Sequence, residues 1–195
     1  MAYNIGMKGK VIEVARMGHP ILSKKSELVS DPLAPEIQQL IADLKATIKH
    51  RGCLGMSAPQ IFMSLRVVMY HIPNAVEDPE RYELTPEYDP YGVPYKILIN
   101  PEVTPLSEEL SEGWEGCQSV PGLLGLVQRK NSVRLKALNE KGEPFEMDAQ
   151  GFHARIIQHE CDHLEGVLFP HRLKDPNMFG YYEEVVKYLK THTHS

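Results

Sequence analysis

The sequence predicts an α+β fold in which mainly antiparallel β-sheets surround a central helix, with one amphipathic helix near each end of the chain. Two observations lead to this prediction. Short runs of β-forming residues follow one another, and they do not alternate with helices in the βαβ pattern of a parallel sheet. The hydrophobic period changes to that of a helix in three separate segments: near the start, after the last predicted strand and at the C-terminus.

Size and composition indicate one globular domain over residues 1–195. Hydrophobic residues make up 42% of the chain and charged residues 24%, which excludes a disordered or fibrous protein. The net charge of −5 excludes a sequence-independent affinity for nucleic acid or anionic lipid. The longest apolar runs are far shorter than the roughly 18 residues that a transmembrane helix needs, and Met1–Lys10 lacks the apolar core of a signal peptide. An odd number of cysteines favours a reducing compartment over a disulfide framework.

The first predicted helix follows a strand at Val11–Ala15 and a turn at Gly18–Pro20. Asp31-Pro32 offers a cap and a first-turn proline, and Gly52 provides the stop signal. We therefore expect a helix from Pro32 or Pro35 to Arg51. Its apolar positions recur at helical spacing and predict a buried stripe: Ile37, Leu40, Ile41, Leu44 and Ile48.

The strands are expected in the middle of the chain. Leu65–Tyr70 is an apolar run typical of a buried strand, and Tyr95–Ile99 predicts another strand that ends at Asn100–Pro101. Between them, residues 73–94 are too polar and too rich in proline for a core element, so we expect a surface loop. The segments Val127–Leu138 and Pro144–Met147 flank Asn139–Gly142, which predicts a hairpin. Two further helices are expected, at Phe152–Glu165, ending at Gly166, and at about Asn177–Lys190.

The strongest chemical signal is His159-Glu160-Cys161-Asp162-His163, which matches the H-E-x-x-H pattern inside a predicted helix. At about 100° per residue, His159, Glu160 and His163 share one helix face, so two imidazoles can bind one ion beside a carboxylate. Cys161 falls on a different face and is expected to pack into the core as a small apolar residue.

A catalytic metal site of this kind needs a third protein ligand, and three sources compete. The metzincin continuation x-x-G-x-x-H fits at Gly166, but Phe169 occupies the position of its last histidine. A distant glutamate, Glu183 or Glu184, is a plausible ligand, although both also suit the polar face of the last helix. Cys117 is the third candidate, because a thiolate beside Gly116 can approach an ion closely. The residues alone leave this choice open.

Three motifs in this order resemble the peptide deformylase family: Gly55-Met56-Ser57-Ala58-Pro59-Gln60, Glu115-Gly116-Cys117-Gln118-Ser119, and His159-Glu160-Cys161-Asp162-His163. The similarity covers most of the chain. Cys53 and Gln118 depart from the commonest family residues. Cys53, Ser57 and the long 73–94 segment resemble the type 1, organellar-like branch.

The resemblance implies a metal-dependent hydrolase that removes the N-formyl group from the N-terminal formylmethionine of newly synthesised proteins and releases formate. It implies Cys117, His159 and His163 as metal ligands, Glu160 as general base and acid, and Gln60 with the backbone N–H of Gln118 as oxyanion donors. The implied ion is Fe²⁺, with Zn²⁺, Ni²⁺ or Co²⁺ able to substitute. Candidate substrate-binding residues are Leu54, Gly55, Glu115, Gly116 and Ile156.

The expected partners are N-formylmethionyl peptides of nascent chains, near the ribosome, without direct nucleic-acid or membrane binding, and the protein is expected to be a monomer. We expect the bacterial cytoplasm, with the mitochondrial matrix or a plastid as the alternative for a processed form. Two rival functions are an endopeptidase that uses Glu183 or Glu184 as a ligand, and a metal-binding interaction module without turnover.

Overall fold

The computed structural model describes residues 7–74, 77 and 91–192. Two antiparallel sheets confirm the predicted α+β class. The five-stranded sheet has the order β1-β2-β3-β6-β7, and the three-stranded sheet has the order β4-β5-β8. The strands are β1 Gly55–Ser57, β2 Val67–Ile72, β3 Val93–Pro105, β4 Leu110–Cys117, β5 Val120–Lys130, β6 Ser132–Leu138, β7 Pro144–Gln150 and β8 Phe179–Tyr181. The α-helices are α1 Pro35–Arg51, α2 Gly151–Leu164 and α3 Tyr182–His192.

The core has an apolar cluster on each face of the five-stranded sheet. One cluster joins β2 and β3 to α1, through residues such as Leu44, Ile48 and Met69. The other joins the opposite face of the sheet to α2, through residues such as Tyr70 and Ile157. Helix α2 also contacts β5 of the smaller sheet. It therefore lies between the two sheets, where most of its surface is buried.

Strand β2 is largely apolar because both of its faces are covered. Val67 and Met69 belong to the cluster on the α1 side, whereas Val68 and Tyr70 belong to the cluster on the α2 side. Successive side chains of a strand point to opposite faces, so a strand buried on both faces needs a continuous apolar run.

Helix α1 has the boundaries that its capping signals predict. Pro35 occupies its first turn, where the missing N–H costs no hydrogen bond. Gly52 ends the helix in the left-handed region, at φ 63°, and its N–H donates to the Ile48 carbonyl.

Four sequence-based boundaries were wrong. Val11–Ala15 forms no strand, and β3 continues through Asn100–Pro101 with an irregularity in its pairing. The segment Val127–Leu138 is divided at Asn131 between β5 and β6, because the chain passes there from one sheet to the other. The last helix begins at Tyr182 and not near Asn177, since Phe179–Tyr181 pairs with β5 instead. Most of the expected 73–94 loop lies outside the described residues.

The segment around Ala15 and Met17, which forms neither a helix nor a strand, is hydrogen-bonded to two distant parts of the chain. The Ala15 N–H donates to the Gln60 carbonyl at 2.8 Å, and the Met17 N–H donates to the Ser119 carbonyl at 2.7 Å. Gln60 follows β1, whereas Ser119 lies in the turn between β4 and β5. Within the described ranges, none of the helices is long and apolar enough to cross a membrane.

Candidate active site

Three metal-ligand side chains meet between the two sheets. The ligand atoms of Cys117, His159 and His163 all lie within 4.8 Å of one another. Cys117 Sγ is 3.4 Å from His163 Nε2. Of the candidates for the third ligand, Cys117 is therefore the one whose side chain lies beside the two histidines. Glu183 and Glu184 are exposed on α3 and do not belong to this cluster.

Two elements position the three side chains. Cys117 ends β4, where a turn leads into β5. His159 and His163 are four residues apart on α2, so their side chains lie one turn apart on the same face. Their rings stand at 85° to each other with centroids 5.2 Å apart. A thiolate and two imidazoles are donors that suit Fe²⁺, Zn²⁺, Co²⁺ or Ni²⁺ rather than Mg²⁺ or Ca²⁺.

The carboxylate of Glu115 orients the first histidine. Its Oε2 lies 2.8 Å from His159 Nδ1, which leaves His159 Nε2 for the cluster. Arg129 donates to both carboxylate oxygens at 2.8 Å, and Arg155 donates to Oε1 at 2.9 Å. Burial alone raises the pKa of Glu115, but the hydrogen bonds from Arg129 and His159 outweigh it and hold the pKa well below its usual range.

The network of ion pairs continues from Arg129 to the protein surface. Arg129 Nη1 donates to Asp162 Oδ2 at 2.6 Å, and Arg172 Nη2 donates to Asp162 Oδ1 at 2.7 Å. Asp162 thus accepts hydrogen bonds from two guanidinium groups, one of them buried and the other half exposed. Each buried charge in this network has a partner of opposite sign, as burial of a charge requires.

Glu160 lies between the two histidines in the sequence, and its side chain is buried. Burial raises its pKa to about 7, and the charge of His159 opposes this shift. Glu160 Oε2 has no hydrogen-bond partner among the described residues. The backbone of Gly55 passes so close that a β-carbon there would stand 2.5 Å from Glu160 Oε1. A side chain at position 55 would therefore have to displace the carboxylate of Glu160.

Gln60 reaches the cluster from the short 3₁₀ helix Ala58–Ile61. Its Oε1 accepts hydrogen bonds from the Ser57 N–H at 2.8 Å and from the Ser57 hydroxyl at 3.1 Å. Its Nε2 donates to Ser119 Oγ at 3.1 Å and lies 3.4 Å from Cys117 Sγ. The amide group thus presents its N–H donors to the ligand cluster.

Comparison with known proteins identifies the family. The sequence profile of polypeptide deformylase matches residues 11–178. The chain belongs to the peptide deformylase family. This family consists of metal-dependent hydrolases that remove the N-formyl group from nascent N-formylmethionine peptides, and this chain is a hydrolase of that class.

Several bacterial peptide deformylases are similar over most of their length. The chain is 46% identical over 175 residues to peptide deformylase 1 of Prochlorococcus marinus, covering 90% of this chain and 87% of that protein. It is 41% identical over 168 residues to peptide deformylase 1 of Nitrosomonas europaea, covering 86% of this chain and 90% of the relative.

Solved peptide deformylase structures match the fold. A Met-Ala-Ser-bound class I type b peptide deformylase from Acinetobacter baumannii has a TM-score of 0.74 and 36% identity, covering 85% of this chain and 99% of that one. Peptide deformylase from Ehrlichia chaffeensis has a TM-score of 0.75 and 27% identity, covering 95% of this chain and 98% of its own.

The remaining candidate residues lie on or directly beside α2, β1 and β4. Ile156 belongs to the apolar cluster between α2 and the five-stranded sheet, Leu54 packs against that cluster, and Gln118 follows Cys117 in the turn. Gly55 and Gly116 lie on β1 and β4, each of which pairs on one side only within the described residues. The sequence placed Glu115 at the substrate edge, but its buried carboxylate contacts His159.

Sequence reasoning missed three polar residues near the deformylase site. Arg155 is buried and paired with Glu115, and no local pattern distinguishes it from an exposed helix residue. Ser57 and Ser119 are fully buried and contact Gln60. A signal for Ser57 was available, because Ser-x-x-Gln is the pattern of a capping box, and this box is present.

Proposed function

We propose that Cys117, His159 and His163 hold one divalent ion, Fe²⁺ in the cell, in a peptide deformylase active site. The observation that carries this proposal is the convergence of the three ligand atoms within 4.8 Å. When bound, the ion would act as a Lewis acid that lowers the pKa of water and polarises a carbonyl group. The donor set also accepts Zn²⁺, Ni²⁺ or Co²⁺.

Glu160 is the general base and then the general acid of the proposed reaction. Its buried carboxylate, with a pKa raised to about 7 by burial, has one oxygen without a protein partner. A group titrating near the working pH can both accept and return a proton. Glu160 takes a proton from the attacking water and delivers it to the departing amine, which leaves formate and a free peptide N-terminus.

Gln60 and the backbone N–H of Gln118 stabilise the oxyanion. Attack on the formyl carbon places negative charge on the formyl oxygen, and neutral donors can meet this charge without adding a net charge of their own. The Nε2 group of Gln60 already faces the ligand cluster, 3.4 Å from Cys117 Sγ. Removal of one such donor typically costs about 3 kcal/mol in the barrier.

The substrate peptide lies between the two open sheet edges. Leu54 directly precedes β1 and Gly55 begins it at one edge, and β4 carries Gly116 at the other. Backbone hydrogen bonds to an added strand bind any sequence, which suits an enzyme acting on many nascent chains. Ile156 lines the pocket for the methionine side chain. The contacts of Glu115 favour orienting His159 over a direct contact with substrate.

The domain organisation, the oligomeric state and the cellular location are also parts of the proposal. Residues 1–195 act as one catalytic domain, which works as a monomer on chains leaving the ribosome. The bacterial relatives support a bacterial cytoplasmic enzyme of this class, and a processed form in the mitochondrial matrix or a plastid is the alternative.

Formate release from formyl-Met-Ala-Ser tests the proposed function directly. The purified protein, loaded with Fe²⁺ without oxygen or with Ni²⁺, should release formate, and chelation followed by reloading should abolish and restore it. Metal binding without formate release would favour an interaction module. Internal cleavage of an unformylated peptide that survives Cys117→Ser would favour the endopeptidase that uses Glu183 or Glu184.

A further inference from the structure

We propose that Ser57 and Ser119 are positioning residues that lock the side-chain amide of Gln60 in one orientation, so that its N–H donors face the metal-ligand cluster. This inference rests on the proposed oxyanion role of Gln60. It assigns the direction of that amide to the backbone N–H of Ser57 and to the buried hydroxyl groups of both serines.

Ser57 determines which end of the amide is the oxygen. The backbone N–H of Ser57 can only donate, and it lies 2.8 Å from the Gln60 oxygen. A rotated amide would place the NH₂ group against this N–H, donor against donor, in a buried position. The Ser57 hydroxyl adds a second donor at 3.1 Å, so both lone pairs of the Gln60 oxygen are used.

Ser119 determines where the NH₂ group points. Its hydroxyl oxygen lies 3.1 Å from Gln60 Nε2 and accepts one of the two hydrogens. Ser119 itself is anchored, because its carbonyl accepts from the Met17 N–H at 2.7 Å and its own N–H lies 3.4 Å from Cys117 Sγ. The second hydrogen on Gln60 Nε2 faces Cys117 Sγ at 3.4 Å, on the side of the ligand cluster where the formyl oxygen would bind.

The surroundings hold this arrangement rigidly. Ser57 and Ser119 are 0% exposed, and Gln60 is 2% exposed. Solvent therefore does not reach either hydroxyl group, and bulk water does not compete for the hydrogen bonds that these groups make to Gln60. A donor held in place before the reaction needs no reorganisation when charge develops, and this is how such groups stabilise a transition state. We expect the two serines to affect turnover more than substrate binding.

The test begins with Ser57→Ala and Ser119→Ala in the Ni²⁺-loaded enzyme acting on formyl-Met-Ala-Ser. Ser119→Ala should lower kcat about tenfold, a part of the 10²–10³-fold effect of losing a whole donor, with KM changed by less than about twofold. Ser57→Ala should cause a smaller loss, because the backbone N–H still holds the amide oxygen. Ser26→Ala is the matched control, since Ser26 is a buried serine whose hydroxyl has no partner among the described residues.

A second readout follows the amide itself by NMR in the Zn²⁺-loaded protein. The side-chain NH₂ signals of Gln60, assigned by their loss in Gln60→Ala, should be well separated and protected from solvent exchange. Ser119→Ala should bring the two proton shifts together and reduce the protection, whereas Ser26→Ala should leave both unchanged. Melting temperature and metal content are measured on the same preparations.

A double-mutant comparison separates this inference from the proposed function. In a Gln60→Ala background, neither serine substitution should lower kcat further. If Gln60→Ala lowers kcat but the serine variants leave kcat and the NH₂ signals unchanged, the positioning role is overturned and the role of Gln60 stands. If Gln60→Ala itself leaves kcat unchanged, the oxyanion role is overturned, and the positioning role with it. A serine effect of equal size in both backgrounds overturns the positioning role alone.

Discussion

The backbone of Gly55 stands directly against the carboxylate of Glu160. A β-carbon at Gly55 would lie 2.5 Å from Glu160 Oε1 and 2.8 Å from its carboxyl carbon, both far closer than van der Waals contact. Strand β1, at the edge of the five-stranded sheet, is therefore in close contact with α2 at this position. The space occupied by the proposed proton-transfer group is therefore available only because residue 55 has no side chain.

We expect Gly55→Ala to lower kcat by at least about 10²-fold, because the added methyl group must displace the carboxylate that transfers the proton. Metal content should be unchanged, since Gly55 contacts no ligand. Gly180→Ala is the matched control, because its added β-carbon would meet Val185 at an ordinary 3.6 Å. A Gly55→Ala enzyme with normal turnover would contradict the proposed position of Glu160 in the reaction.

Cys117→Ser should weaken or abolish metal binding, because a serine hydroxyl stays protonated where a thiol ionises on binding. Metal stoichiometry of the purified variant measures this. Cys161→Ala is the control: burial raises the pKa of the Cys161 thiol, and its side chain packs on the apolar cluster beneath α2. The control should lose about 1 kcal/mol of stability at most and keep its ion and its activity. A Cys117→Ser protein with one tightly bound ion would remove Cys117 from the ligand set.

Glu160→Gln should retain the ion but lose most formate release, because glutamine fills the same volume and cannot accept a proton. Acid–base assistance is typically worth about 10² to 10⁴ in rate, and one carboxylate is proposed to act in both steps. The loss should therefore reach the upper end of this range. Metal content and formate release are measured on one preparation, and near-normal turnover with the ion bound would assign the proton transfer to another group.

Glu115→Gln should lower metal affinity about 10- to 100-fold, because the group that orients His159 loses its charge. It should also lower the free energy of unfolding by about 3 to 5 kcal/mol, since the buried guanidinium groups of Arg129 and Arg155 lose their shared carboxylate. Competition with a chelator and chemical denaturation measure the two effects. Glu112→Gln, on the same strand but exposed, should change neither property. If Glu115→Gln binds metal normally, the network is structural only.

The parts of the fold that the sequence predicted are those encoded by local patterns. Helix α1 has a proline at its start and a glycine at its end, and both act within one turn. The irregular boundaries depend on distant partners instead. Phe179 fits the helical spacing of the apolar residues that follow it, yet Phe179–Tyr181 pairs with β5, and the helix begins only afterwards. Val11–Ala15 has strand-forming residues, but no named strand of the described chain pairs with it.

The residues of the candidate site also differ in whether local sequence patterns determine their positions. His159 and His163 share a face because of the period of one helix, so their convergence could be predicted without knowledge of the rest of the molecule. The carboxylate of Glu115 could not be placed, because its direction depends on how β4 packs against α2. The same reason hid Arg155, which is separated in sequence from Glu115 and meets it only after both elements have folded.

The extended segment around Ala15 and Met17 has a consequence for truncation of the chain. It contributes no residue to either sheet, yet the N–H groups of Ala15 and Met17 donate to the carbonyls of Gln60 and Ser119, the residue with the proposed donor and the residue that positions it. A truncation that removes the chain up to and including Met17 would remove no residue of any strand or α-helix of the described chain. Circular dichroism would then report an almost unchanged protein, while the two loops that carry the donor and its anchor would be free to drift apart.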